Sequence, residues 1–116
     1  MRFEFSTPGR ILFGSGTAAE APALAAGLGK RAFAVCDARA GRDWLLDGLQ
    51  IHGLAAEIWL VEKEPQVADV LRAVQAFKTA GCDLVIGVGG GSTLDTGKAV
   101  AGLAANPGEP LDYLEV

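Results

Sequence analysis

Three short apolar segments that do not alternate with polar residues constrain the fold of this chain most. These segments are 32–36, 57–61 and 84–88. A strand with one face in solvent alternates, whereas a parallel strand covered by helices on both faces reads as a continuous apolar run. Apolar residues at helical spacing follow each segment, around 43–50, over 67–77 and up to about residue 105. This order predicts an α/β fold, a Rossmann-like parallel sheet with helices on both faces.

A β-hairpin and a first helix are expected ahead of this sheet. Pro8-Gly9 suits the central positions of a type II turn, which would join two short strands within residues 2–13. Thr17 and Glu20 have the spacing of a capping box, so a helix is predicted to start within a few residues of Thr17, with Pro22 in its first turn, and to end at Gly27 and Gly29. Further along, the apolar residues of the third helical segment are predicted to share one buried face: Val67, Val70, Leu71, Val74 and Phe77.

Length and charge restrict the class of protein. The 116 residues fit one domain, taken as 1–116, and a composition that is 50% hydrophobic is too apolar for a disordered chain. The net charge of −4 argues against a nucleic-acid partner. No apolar run approaches the roughly 18 residues of a membrane span. Because the N-terminus also lacks the apolar region of a signal peptide, a cytoplasmic location is expected.

Few side chains qualify for metal or nucleophilic chemistry. Cys36 and Cys82 are far apart in the sequence and are expected to be buried thiols. His52 is the only histidine, and it is predicted to lie at the surface or to cap the end of a helix. We therefore assign no catalytic residue and no metal ligand within this chain. The chain ends with Tyr113, Leu114 and Val116 and has nothing after them to cover them, which indicates a fragment of a larger protein.

The strongest functional signal is the glycine run after the third apolar segment: Gly89, Gly90, Gly91 and Ser92. In an open α/β sheet, ligands bind at the carboxyl ends of the strands. Consecutive glycines expose backbone N–H groups, and the helix that follows adds its partial positive charge, so the run suits a phosphate. A purely structural alternative is a capping box formed by Ser92 and Asp95, with an ion pair between Asp95 and Lys98.

A second glycine motif competes for the same role. Residues 14–19 fit G-x-G-x-x-A between a predicted strand and helix, and Asp37 follows about 20 residues later. A carboxylate there could accept hydrogen bonds from a ribose 2′-hydroxyl and would repel the 2′-phosphate of NADP. The alternative for Asp37 is an exposed loop residue without a ligand.

Taken together, these stretches resemble the N-terminal part of the iron-containing (group III) alcohol dehydrogenases, relatives of glycerol dehydrogenase and dehydroquinate synthase. The resemblance runs through most of the chain. It rests on residues 7–16, on the strand that ends in Asp37, and on residues 82–92 continuing into 95–99.

The resemblance implies a role for each matching residue. In that family the loop 89–92 holds the cofactor pyrophosphate, and Asp37 would contact the adenosine ribose. The turn at Glu64 would flank the adenine, while Asp95 and Lys98 would lie near the nicotinamide and the substrate. The family's metal ligands, an Asp and several His, belong to a helical C-terminal domain that is absent from this chain.

The implied reaction is reversible hydride transfer between an alcohol and NAD, with an alcohol or aldehyde as the small-molecule substrate. Iron or zinc is expected only together with the C-terminal domain, and the full-length enzyme is expected to be a homo-oligomer. Ser92 and Asp95 together favour the alcohol dehydrogenase branch, since relatives tend to differ at one of these positions. Two alternatives stay open: a relative of the dehydroquinate synthase or glycerol dehydrogenase type, and a non-catalytic nucleotide-binding module complete at 116 residues.

Overall fold

Five parallel strands form one sheet in the order β1-β5-β4-β2-β3. The computed structural model describes residues 10–13, 20–39, 41–105 and 112–115. The elements are β1 (Arg10–Phe13), α1 (Ala21–Ala26), β2 (Arg31–Asp37), α2 (Asp43–Ile51), β3 (Ala55–Val61), α3 (Val67–Ala80), β4 (Leu84–Val88), α4 (Gly91–Ala104) and β5 (Asp112–Glu115).

Helices cover both faces of the sheet at β2 and β4, as the unalternated strands predict. The same prediction is wrong for β3, an edge strand that is mostly half-buried, with Leu60 44% exposed. Because successive side chains of a strand point to opposite faces, β2 contributes to two cores. Phe33 and Val35 pack with apolar side chains of α3 and α4, and both are fully buried. Ala34 and Cys36 pack on the other face with side chains of α1 and α2, Leu45 and others. This arrangement confirms the predicted Rossmann-like α/β fold.

The strand order places a topological switch point between β2 and β4. The chain runs from β2 through α2 to the edge strand β3, then returns over the opposite face through α3 to β4 on the other side of β2. Connections that leave two adjacent strands in opposite directions open a crevice at the carboxyl ends of those strands. The last residues of β2 and β4 therefore border the expected ligand position.

The N-terminal predictions are only partly tested. The first strand of the predicted hairpin lies outside the described residues, whereas β1 is a parallel edge strand that pairs with β5. Thr17 lies outside the described residues, so its capping box stays a prediction. In the structure α1 begins at Ala21, and its N-cap Glu20 makes no side-chain cap hydrogen bond. Pro22 fixes this start: proline fits the first turn of a helix, where its missing N–H would have had no partner.

Two apolar residues of α3 are misplaced in the sequence-based prediction. Val67 and Leu71 were expected on the buried face, but Val67 is 51% exposed and Leu71 is 56% exposed. The buried face of the helix consists of Val70, Ala73, Val74 and Phe77. Ala73 lies at the centre of this buried face, because Val70, three residues before it, and Phe77, four residues after it, are on the same side of the helix.

At the amino ends of the strands, one carboxylate joins β2 to β4. Asp83 accepts hydrogen bonds from the backbone N–H of Lys30 at 2.9 Å and of Arg31 at 2.9 Å. We expect Asp83→Ala to lower the free energy of unfolding by about 1–2 kcal/mol, because two backbone donors lose a charged acceptor. Urea unfolding measures this loss. Asp83→Asn keeps one acceptor oxygen and should lose about half as much; equal losses in both variants would contradict the hydrogen-bond account.

Candidate functional site

The ends of β2 and β4 bring two predicted site residues side by side. Cys36 pairs with Val88 in the sheet, so the next residues, Asp37 and Gly89, are neighbours. Gly89 has a φ of +150°, and a Cβ added there would lie 3.1 Å from the Cβ of Asp37 and 3.0 Å from the Cβ of Thr93. Only glycine lets the chain turn here without strain and without pushing these neighbours apart.

Beyond this tight turn, the start of α4 is open. Gly90 is the N-cap and Gly91 the first helical residue, and both are exposed. A Cβ added at either position would meet no atom within 4 Å. The first N–H groups of a helix have no partner within it, and they lie at its positive end. The geometry therefore leaves room for a phosphate against the backbone of 89–92.

Ser92 does not cap its helix. The capping box with Asp95 is wrong, because α4 already begins at Gly91 and has no side-chain cap hydrogen bond. Instead the Ser92 hydroxyl donates to Oε2 of Glu64 at 2.8 Å. The Thr96 hydroxyl donates to the carbonyl oxygen of Ser92 at 2.7 Å, and Thr96 is almost fully buried. The structure thus joins Glu64, on the loop after β3, to the glycine loop.

Asp37 is held by a residue that the sequence analysis did not single out. The guanidinium of Arg39 contacts both carboxylate oxygens at 3.2 Å, and the backbone N–H of Arg39 donates to Oδ1 at 2.9 Å. The side-chain hydrogen bond from Arg39, followed by its backbone N–H, lowers the pKa of the Asp37 carboxyl below its ordinary value. The only sequence signal was a basic residue two positions after the acid, within the β2–α2 loop.

Asp95 and Lys98 lie farther along α4. Their spacing from Gly91, four and seven residues, places all three on one face of the helix. Asp95 is exposed and Lys98 is half-buried. This face continues from the open glycine loop, whereas Ser92 and Thr96 lie on the side of Glu64.

A cavity of about 200 Å³ lies on the Thr96 side of α4. The cavity is lined by the end of β3, by the residues that follow it and by Thr96 of α4. Trp59 and Pro65 are among these lining residues. The cavity lies beside Glu64, next to the turn that the sequence analysis placed at an adenine. The sequence analysis did not single out Thr96. The available signal was a threonine one helical turn after Ser92, among the apolar residues of α4.

The remaining candidates have structural roles. The Nδ1 of His52 lies 2.9 Å from the carbonyl oxygen of Gly48, which confirms a helix-capping role. Cys36 and Cys82 are free thiols; Cys36 is buried as expected, whereas Cys82 is only half-buried, and desolvation raises the pKa of both. The competing motif 14–19 lies outside the described residues. Among the described residues, no three His, Cys, Asp or Glu side chains cluster to hold a metal ion. In the same part of the chain, no helix is long and apolar enough to cross a membrane.

Comparison with known proteins adds a family to this geometry. The profile described as "Iron-containing alcohol dehydrogenase" matches residues 8–116. The probable alcohol dehydrogenase EutG of Salmonella typhimurium is 41% identical over 71 residues, which cover 60% of this chain and 18% of that protein. The sulfoacetaldehyde reductase of Bilophila wadsworthia is 34% identical over 97% of this chain and 30% of its own length.

A solved structure shows the same fold. The NADH-dependent butanol dehydrogenase A of Thermotoga maritima matches with a TM-score of 0.67 and 28% identity, over 98% of this chain and 34% of that one. This chain therefore spans between 18% and 34% of the length of these three relatives. The family match over almost the whole chain, on a sheet with a glycine loop at its switch point, shows that the chain belongs to the iron-containing alcohol dehydrogenase family.

Proposed function

We propose that this chain is the NAD-binding part of a metal-containing alcohol dehydrogenase, which transfers a hydride between a small alcohol or aldehyde and NAD. The observation that carries the proposal is the open glycine loop beside Asp37. Gly90 and Gly91 leave space at the positive end of α4, and the carboxylate of Asp37 lies at the adjoining strand end. A dinucleotide needs both features, a phosphate site and a ribose acceptor, at neighbouring strands.

We propose that the parts of the cofactor lie along the described residues in the following order. The pyrophosphate would lie on the backbone of 89–92, where no side chain intervenes. The adenosine ribose would lie at Asp37, and the cavity beside Glu64 would receive the adenine. Asp95 and Lys98 would lie toward the nicotinamide and the substrate, on the helix face that continues from the loop.

The chemistry of the reaction is supplied by groups that this chain would position. When bound, NAD accepts the hydride, and a divalent metal such as iron or zinc polarises the alcohol oxygen. The described residues do not form a metal centre, so the metal ligands are proposed to come from a helical C-terminal domain. The role of this chain is to bind and orient the dinucleotide. A cytoplasmic homo-oligomer is part of the same proposal.

Amide chemical shifts of the full chain test the cofactor site directly. Titration with NAD should shift the signals of Gly89, Gly90, Gly91 and Ser92, since their N–H groups would meet the pyrophosphate. Gly53 and Gly81 serve as internal controls, because they lie in turns after α2 and α3 at the amino ends of the strands. Their signals should stay in place.

Ser92→Ala is a second readout of the same site. We expect a loss of NAD affinity of about threefold to tenfold, because the hydrogen bond that ties the start of α4 to Glu64 is lost while the backbone donors remain. Thr79→Ala, an exposed hydroxyl near the end of α3, is the matched control and should bind NAD as the unmodified chain does. Shifts confined to other residues, or no shift at all, would refute the proposed function.

A further inference from the structure

The carboxyl end of β2 carries a guanidinium as well as a carboxylate. The Nε of Arg39 lies 3.2 Å from Oδ1 of Asp37, and Nη2 lies 3.2 Å from Oδ2. The backbone N–H of Arg39 donates to Oδ1 at 2.9 Å. The two side chains thus form a two-pronged pair beside Gly89, at the position proposed for the adenosine ribose.

The pair with Arg39 limits how many hydrogen bonds Asp37 can accept from a ribose. An ionised carboxylate offers roughly four lone-pair positions, and Arg39 already takes three of them. One of these positions is left to accept a hydrogen bond from a ribose hydroxyl. The positive charge of Arg39 also compensates the negative charge that would otherwise repel a 2′-phosphate. The carboxylate therefore excludes a phosphorylated ribose less strongly than an unpaired aspartate would.

Arg39 is itself accessible to a ligand. Its side chain is 82% exposed, whereas that of Asp37 is 21% exposed. The planar fork of a guanidinium matches phosphate oxygens, and most of its N–H donors are not engaged by Asp37. A surface pair of this kind contributes little to stability, so turning one edge of the guanidinium toward a phosphate costs little.

We propose that Arg39 is a specificity-determining residue, which lets the site bind the 2′-phosphate of NADP as well as the ribose of NAD. The proposal rests on the proposed function, because it assumes that the adenosine ribose lies at Asp37. When the phosphate binds, Arg39 contacts it with its outer N–H groups. The backbone N–H of Arg39 continues to hold the Asp37 carboxylate in place.

Calorimetric titration of the full chain with NAD and with NADP tests this inference. The measurement is made at pH 8, where a 2′-phosphate carries nearly two negative charges, and at low salt. We expect the two dissociation constants to lie within about tenfold of each other in the unmodified chain. Arg39→Gln should raise the dissociation constant for NADP by roughly tenfold or more, and change that for NAD by less than about threefold.

Two further variants make the outcome specific. Arg31→Gln removes the same charge at the opposite end of β2, where Nη2 of Arg31 lies 3.9 Å from Oε2 of Glu57. This variant should leave the dissociation constants for NAD and NADP unchanged. Arg39→Lys keeps the charge without the fork and should fall between the unmodified chain and Arg39→Gln. Circular dichroism confirms that each variant is folded.

The failure of this inference differs from the failure of the proposed function. If NAD binds but NADP binds more than about a hundredfold more weakly, Arg39 does not relax the selectivity and the inference is wrong. An equal weakening of both cofactors in Arg39→Gln would also overturn it, because the residue would then act only by positioning Asp37. If neither cofactor binds the unmodified chain, the proposed function fails and this inference fails with it.

Discussion

Gly90→Val is expected to weaken NAD binding by roughly a hundredfold or more while the fold remains intact. The valine side chain would stand in the open space before α4 and keep a phosphate from the backbone N–H groups. Losing one to two charge-assisted hydrogen bonds corresponds to about 3 kcal/mol, which is about a hundredfold in affinity. The φ of −85° and ψ of −168° at Gly90 suit a β-branched residue. The free energy of unfolding should therefore fall by at most about 1 kcal/mol, the cost of a poorer N-cap.

Gly89→Ala is the matched variant with a different profile. Its φ of +150° and the 3.0 Å approach to Thr93 require the turn to deform. We expect a loss of about 1–3 kcal/mol in the free energy of unfolding, in addition to weaker binding. Thermal unfolding and calorimetric titration of both variants separate the two effects. If Gly90→Val binds NAD as well as the unmodified chain does, the phosphate does not lie on this loop.

Phe33→Ala is expected to cost about 3–5 kcal/mol of stability, the largest loss from a single truncation in this fold. Phe33 is fully buried on β2, an interior strand of the sheet. Its ring lies 6.1 Å from that of Trp59 in a stacked arrangement, and 5.7 Å from that of Phe77 in an edge-on arrangement. Truncation would remove both ring contacts and leave a cavity between the sheet and α3.

Urea unfolding followed by tryptophan fluorescence measures this loss, since Trp59 reports on the same cluster. Phe33→Leu fills most of the space and should cost about 1–1.5 kcal/mol, which makes it the matched control. Because small domains have only about 5–15 kcal/mol of stability, the alanine variant should unfold at a much lower urea concentration than the unmodified chain does. Similar midpoints for the two variants would show that the ring contacts contribute little.

The main elements of the fold were predictable because their signals are local. The segment 84–88 is apolar throughout, and the structure has β4 there with every residue buried. The helix over 67–80 follows from apolar spacing, and Gly81 ends it with a left-handed φ of +71°. Boundaries were less certain: β3 begins at Ala55, two residues before its apolar run, because pairing with β2 extends the strand where side chains are small and exposed.

Local patterns misled where two interpretations used the same residues. Ser92 and Asp95 have the spacing of a capping box, which would start the helix at Thr93. The helix begins two residues earlier, at Gly91, and Ser92 contacts Glu64, 28 residues away in the sequence. The backbone decides this, because consecutive glycines allow the helix to start at Gly91 without a side-chain cap. The contact with Glu64 was not predictable, because a local sequence pattern does not show where the loop after β3 lies relative to α4.

The sequence by itself determined the fold class, the strand and helix order, and the glycine loop as the strongest candidate site. These follow from burial patterns and backbone freedom, which act over a few residues. Only the tertiary structure decided that β2 lies beside β4, and hence that Asp37 adjoins Gly89 and that Glu64 reaches Ser92. It also decided that Arg39 turns back onto Asp37. Such contacts depend on strand order and side-chain direction, which are fixed by packing of the whole sheet and not by neighbours in the chain.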